Sequence, residues 1–269
     1  MAGIRRLGLF SLIGLLLAMG LTRQSAGVSV AKLDLDQYRI TFDDEFDDLN
    51  VSAWGPGTRW IAHTPWHGDF GEAQFVDPEP GFPFAIINGV LRVEARKEAD
   101  GKWRSGLLAS VDPSGSGFSQ RLGYFEFRAK FPAGSGVWPA FWLIANSDPH
   151  ASAELDVVEY YGSVPDAYQS VIHLWPKDPG EQPLEQRFVN NVASGSLCDD
   201  FHRYGVDVSR DWTRFYFDGL EVARATAQPV DRGPFFILID LALGGGWPID
   251  ETPNPSYMYV DYVRAYERK

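Results

Sequence analysis

Between clusters of Gly and Pro, the chain breaks into short runs in which apolar and polar residues alternate. That period of two marks strands with one buried face. Gly123–Phe131 is the cleanest case, with Phe125, Phe127, Ala129 and Phe131 on one face and Tyr124, Glu126, Arg128 and Lys130 on the other. Gly89–Lys97 and Met258–Tyr266 alternate likewise. Arg214–Ala225 reads as a hairpin with Asp218-Gly219 as its two-residue turn. Phe235–Leu243 is almost continuously apolar, as expected of a central strand buried on both faces. Helix signals are scarce. Many antiparallel strands over this length predict an all-β fold, a curved antiparallel β-sandwich or jelly roll whose concave face forms a cleft.

One strand breaks its own pattern. Ala153–Gly162 carries Glu154, Asp156 and Glu159 in an otherwise apolar run. Alternation puts Glu154 and Asp156 on one face and Glu159, five residues after Glu154, on the other. A β-bulge at Val157–Val158 inserts one extra residue and returns Glu159 to the first face. A helix is the alternative, but Val157, Val158, Tyr160 and Tyr161 favour a strand and Gly162 closes it.

The first residues read differently. Arg5 and Arg6 precede an apolar run from Leu7 to Leu21, the layout of a secretory signal peptide. Small-x-small cleavage sites occur at Ala18-Met19-Gly20 and Ser25-Ala26-Gly27. The run is shorter than the roughly 20 apolar residues of a membrane span. The expected organisation is therefore a leader over residues 1–27 and a single domain over 28–269, exported to the periplasm or the medium, without stable membrane insertion after cleavage. Loss of the leader removes Arg5, Arg6 and Arg23 and no acid, moving the formal charge from −12 to about −15. So acidic a surface disfavours nucleic acid and suits a neutral substrate. Cys198 is the single cysteine, so stability must come from the core.

Two segments frame the acids. Gly134–Ile144 leads from a Gly-rich turn into an apolar strand with Trp138 and Trp142, and Leu241–Asp250 runs into a Gly-rich loop with Trp247. Acids on a cleft floor with Trp on its walls suit a polysaccharide, since aromatic rings cover the apolar faces of sugars. With one bulge, the Cα atoms of Glu154 and Glu159 are about 13 Å apart, and two leaning side chains close that to about 5 Å, on the retaining side for a glycosidase. Like charges in one row cannot all ionise cheaply, so at least one carboxyl should hold its proton.

The run from Gly123 to Ile144 followed by Glu154–Gly162 resembles glycoside hydrolase family 16, in its bulged Glu-x-Asp-x-x-Glu branch. Phe42–Phe46, the late hairpin, Phe235–Pro248 and Tyr259–Tyr266 resemble the family too, so the likeness spans roughly residues 40–267. It implies a concanavalin-like jelly roll, Glu154 as nucleophile, Glu159 as general acid/base and Asp156 as the residue that tunes the pair. It also implies a site histidine at His173, cleft aromatics at Trp138 and Trp142, and sugar contacts from Glu72 and Gln74. No cofactor is implied for catalysis; a structural calcium is, at Glu45, the backbone of Gly89 and Asp261. Two positions depart from laminarinases: Phe70-Gly71 and Asp240 stand where many have Asn, and the His63–Gly71 loop has no clear counterpart.

Other signals are weaker. His63 and His67 are four apart, but Pro65 spoils the helix that would align them on a metal. Ser135 lacks a nucleophile elbow, and Gly244–Gly246 lacks the helix of a phosphate cradle. The expected function is a monomeric, retaining endo-glycosidase on a β-linked, glucose-rich polysaccharide, either β-1,3- or mixed-linkage glucan or a bacterial exopolysaccharide. A non-catalytic carbohydrate-binding jelly roll and a transglycosylase are the alternatives.

Overall fold

The computed structural model describes residues 31–226 and 233–269. The leader expected over residues 1–27 lies outside the described residues. Two sheets form a sandwich. One runs β16 (Leu220–Thr226), β15 (Trp212–Phe217), β14 (His202–Val208), β9 (Gly123–Lys130), β18 (Ser256–Arg268), β6 (Val90–Lys97), β7 (Trp103–Ser105), β4 (Ala73–Phe75). Onto it pair β1 (Tyr38–Asp44), beside β18, and β5 (Phe84–Ile87), beside β6. The other runs β13 (Leu184–Asn191), β12 (Ala167–Pro176), β11 (Ala151–Glu159), β10 (Val137–Ala145), β17 (Phe236–Leu243), β8 (Leu107–Ala109), β3 (Trp60–Ile61), β2 (Val51–Ser52). Pairing is antiparallel except for β2 with β3 and β4 with β7. The α-helical content of the described residues is one turn, Ser196–Asp199.

The core lies between the sheets. Phe125, Phe127 and Ala129 of β9 meet Phe141 and Leu143 of β10, Leu155 and Val157 of β11, and Ile237 and Ile239 of β17. Phe127 stacks on Phe141 with ring centroids 4.8 Å apart. The predicted hairpin forms between β15 and β16, with φ of 49° at Asp218 and 79° at Gly219, the double positive pair its turn requires. The Phe235–Leu243 run is β17, buried at every position and flanked by β10 and β8.

The second face of β9 differs from its polar reading. Tyr124 and Glu126 are buried there, because Tyr38, Tyr216 and Tyr266 pave that side of the sheet around Tyr124. The Glu126 carboxylate accepts the hydroxyls of Tyr124 (2.6 Å) and Tyr262 (2.8 Å). Alternation locates a face but not what covers it.

Candidate active site

Strand register brings the acids together. On β11, Trp142 pairs with Asp156 and Phe141 with Val158, so Val157 is the extra residue. On the other side Asp156 pairs with Val171 and Glu159 with Gln169, leaving Val157 and Val158 opposite Ser170 alone. This is the expected bulge. The Ser170 hydroxyl fixes it by donating to the Val157 carbonyl (2.9 Å) while accepting from Asn190 Nδ2 (3.0 Å). Ala153, Leu155, Val157 and Val158 face the core, so Glu154, Asp156 and Glu159 share the outward face.

There they line a cavity of about 150 Å³ with Phe70, Trp138, Ala140, Trp142 and Asp240. That is below the roughly 300–1,000 Å³ of pockets that enclose a whole ligand. A separate hollow of about 450 Å³ is lined by Trp66 and Phe236 among others. Trp66 packs edge-on against Trp142 at 6.1 Å.

Each carboxyl has a distinct setting. Glu154 Oε2 accepts from Trp175 Nε1 at 2.6 Å. His173, opposite Glu154 on β12, puts Nε2 3.2 Å from Asp156 Oδ2 and stacks on Trp175 at 4.9 Å. Donor atoms of Glu154, Asp156 and His173 all lie within 4.8 Å of one another, close enough for a cation to bridge as well. Glu159 Oε1 accepts from Trp138 Nε1 (3.1 Å) and the Tyr161 hydroxyl (3.0 Å). Asp240 is fully buried and accepts from Trp142 Nε1 (2.8 Å) and the Ala242 N–H (3.0 Å).

Burial, then the Asp156 charge, pushes Glu154 up to about 8. Burial, then Glu159, pushes Asp156 well above the carboxylate range. Such a pair shares a proton. Asp156 keeps it, being sealed from water, whereas Glu154 has the Trp175 donor and a more open position. Burial also pushes Asp240 up to about 8.

The other expected site residues scatter. Glu72 lies against the Gly-rich loop, its Cγ 2.7 Å from where a Cβ on Gly244 would stand, and its N–H bonds the Leu243 carbonyl. Gln74 faces a separate cavity of about 440 Å³, lined also by His63, Asp77, Arg96 and Arg104, and so does not join the carboxyl pocket. Trp247 is 43% exposed on its loop. His63 bonds Asp77 at 2.7 Å, and Trp54 stacks on His63 and lies tilted against His67, both at 4.3 Å, so the two histidines flank an indole.

The expected calcium residues do not fit an ion here. Calcium wants six to eight oxygens. Glu45 meets Arg264 at 2.7 Å, Asp261 meets Arg128 at 2.6 Å, and Gly89 closes the Asn88-Gly89 turn between β5 and β6. A guanidinium already balances each carboxylate, so no step is routed through calcium.

Of three further residues at the acids, Trp175 had no role in the sequence reading, while Phe70 and Asp240 stood there only as departures from laminarinases at the sugar-binding end of the cleft. Trp175 shares the parity of His173, two residues on, which was the available signal. Phe70 touches Trp138 at 5.6 Å and Trp142 at 5.7 Å from a loop, where no periodicity could place it. Asp240 is the acid inside an apolar strand.

Comparison with known proteins agrees with this geometry. The model of glycosyl hydrolases family 16 matches residues 96–264. The chain is 33% identical over 259 residues to the endo-1,3-1,4-beta-glycanase EglC of Rhizobium meliloti (strain 1021), covering 87% of this chain and 53% of that protein. It is 31% identical over 282 residues to ExsH of the same organism, an endo-1,3-1,4-beta-glycanase, covering 93% and 58%. The chain thus spans about half the length of these curated relatives. Among solved structures it resembles SCLam, a non-specific endo-beta-1,3(4)-glucanase, with TM-score 0.69 and 26% identity over 91% of this chain and 98% of that one.

Proposed function

This chain belongs to glycosyl hydrolases family 16, and we propose that it is a retaining endo-glycosidase cutting internal β-linkages of a glucose-rich polysaccharide. The observation that carries this reading is the bulge that returns Glu159 to the face of Glu154, with both carboxyls on one aromatic-walled pocket. The family relatives named for β-1,3- and mixed-linkage glucans supply the substrate class.

The division of labour follows from the hydrogen bonds. Both recorded bonds to Glu159 fall on Oε1, which leaves Oε2 to protonate the glycosidic oxygen as it departs. Trp138 and Tyr161 fix the carboxyl while that proton moves. Glu154, steadied by the Trp175 indole and by the proton on Asp156, attacks the anomeric carbon and forms a glycosyl-enzyme. Glu159, now a carboxylate, takes a proton from water, whose oxygen attacks the anomeric carbon and frees Glu154. Asp156 acts through Glu154: by holding its own proton it avoids adding a second charge to the pair.

The test is release of reducing ends by wild type and by Glu154→Gln from laminarin, mixed-linkage glucan, agarose and an acylated bacterial exopolysaccharide. Cleavage by wild type alone supports the reading. Equal binding by both proteins with no cleavage supports a binding module, and transfer exceeding hydrolysis at low acceptor concentration supports a transglycosylase. We also propose export to the periplasm or medium, supported by the basic-then-apolar leader; N-terminal sequencing of the mature protein tests it.

A further inference from the structure

A groove of about 530 Å³ lies away from the carboxyl pocket, on the other sheet. It is lined where β9 begins, where β14 ends and where β18 ends, three neighbouring strands, so it follows one rim of that sheet. Three of its lining residues, Arg121, Arg210 and Arg268, are arginines and one, Glu267, is an acid, in a chain whose formal charge is −12. Strand register brings two of the arginines together. β14 pairs with β9 from His202 and Ala129 to Val208 and Gly123. Arg121 and Arg210 each stand two residues beyond that last pair, where the same register would set them opposite one another. Like charges so placed repel.

Neither has a counter-charge. Arg121 and Arg210 are both exposed, and among the described residues neither makes an ion pair or a side-chain hydrogen bond. Elsewhere on the surface guanidiniums are balanced: Arg104 by Asp100 at 2.8 Å, Arg128 by Asp261 at 2.6 Å and Arg264 by Glu45 at 2.7 Å. The acids at the groove are already committed. Glu267 pairs with Arg39. Buried Asp207 serves Arg268 (3.3 Å) and Arg214 (3.4 Å) together and accepts the Tyr38 hydroxyl (2.9 Å). Asp211 follows Arg210 in the chain but does not line the groove. Two neighbouring guanidiniums without a carboxylate are relieved by an anion between them, and each offers a planar fork that matches two carboxylate oxygens.

The rest of the surface limits what that anion belongs to. A membrane or a nucleic-acid duplex carries dense negative charge, and the acidic surface around so small a groove repels it. A polysaccharide with a carboxylate on an occasional sugar presents isolated anions instead. The groove also lies close to the cleft side of the molecule. Trp142 of the carboxyl pocket packs on Trp66, Ser119 lines the Trp66 hollow, and Gln120, the next residue, lines the groove.

We propose that the groove of Arg121 and Arg210 is a secondary binding site for an anionic polysaccharide: the two guanidiniums clasp a carboxylate carried by the chain and hold the polymer to the protein outside the cleft. The ligand class is a glycan with carboxylate-bearing sugars or substituents. Tethering there raises the local concentration of polymer at the cleft. The choice of a polysaccharide rests on the glycosidase reading above, but binding at the groove needs no turnover, so the two fail separately.

The experiment measures the affinity for polygalacturonate, neutral laminarin and inorganic phosphate by calorimetry at low ionic strength. The full chain carries Glu154→Gln throughout, so that nothing turns over. The groove variant combines Arg121→Gln with Arg210→Gln. A control combines Arg104→Gln with Arg224→Gln, which removes the same charge from arginines that are paired elsewhere. Thermal melting first confirms that each is folded. Polygalacturonate affinity is expected to fall about tenfold in the groove variant and to stay within about twofold in the control, on the order expected for two partly exposed charge-assisted contacts. Laminarin affinity should be equal in all three proteins. Added salt should weaken polygalacturonate binding by the parent, and less so by the groove variant. Equal polygalacturonate affinity in parent and groove variant, or an equal loss in the control, overturns the proposal, as does no binding by any of them. Phosphate bound as tightly as polygalacturonate makes the groove a simple anion site, and preference for phosphatidylglycerol vesicles makes it a membrane contact; either result overturns the polysaccharide assignment. If wild type cuts no β-glucan while the groove variant still loses polygalacturonate, the glycosidase reading fails and the groove stands.

Discussion

Replacing Trp175 with Phe isolates a single hydrogen bond to the nucleophile. The Trp175 indole N–H donates to Glu154 Oε2 at 2.6 Å, and its ring stacks on His173 with planes 18° apart. Phe keeps the stacking surface and loses the donor. A donor to a carboxylate favours the charged form, so losing it raises the Glu154 pKa. Hydrogen bonds to charged groups are worth about 1.5–3 kcal/mol when buried. Trp175 is 40% exposed, so water replaces part of the lost bond and about 1 kcal/mol remains. At 1.36 kcal/mol per unit that is a shift of about 0.7 pH units. Because Glu154 must be ionised to attack, the acid limb of kcat/KM should move to higher pH by that amount. The alkaline limb should hold, since Trp175 makes no recorded contact with Glu159. The assay is initial rate against pH on a soluble oligosaccharide at concentrations well below KM. An acid limb that stays in place, or moves to lower pH, refutes the assignment of Glu154 as the group steadied by this indole.

Other outcomes follow from the same structure. Phe127→Ala removes a fully buried ring packed on Phe141, Phe131 and Tyr204 and should cost about 3–5 kcal/mol by urea denaturation. Ser170→Ala frees the bulge carbonyl and should cost about 1 kcal/mol of stability, with a fall in kcat larger than any change in KM, because Glu159 loses its fixed orientation. Asp240 has a folded pKa near 8, above its unfolded value, so its contribution is fully present below about pH 4 and is lost as pH rises toward 8. Unfolding free energy should therefore fall less steeply between those pH values in Asp240→Asn than in wild type, as read from denaturation curves across that range.

What the sequence disclosed, and what it hid, has a physical pattern. Strands with one buried face announce themselves by parity, so β9, β17, β18 and the β15–β16 hairpin were legible. The bulge was legible because the third acid, out of step with the first two, is costly on the core side. Contacts set by tertiary approach were not. Phe70 reaches the pocket from a loop, and Gln74 turns to another cavity because the short parallel pair β4–β7 carries it to the end of the other sheet. The convex tyrosines bury Glu126 through contacts between strands distant in sequence. The state of Asp240 depends on partners at Trp142 and Ala242 that strand pairing alone selects.

The most direct test of the central claim is the anomeric configuration of the sugar first released. Proton NMR is followed within the first minutes of digestion of whichever β-glucan wild type cuts, with Glu154→Gln as control. The account predicts that the β-anomer appears first and converts to the equilibrium mixture only by mutarotation, with no signal from the variant. First appearance of the α-anomer, or equal turnover by Glu154→Gln, would contradict attack by Glu154 and the glycosyl-enzyme it forms.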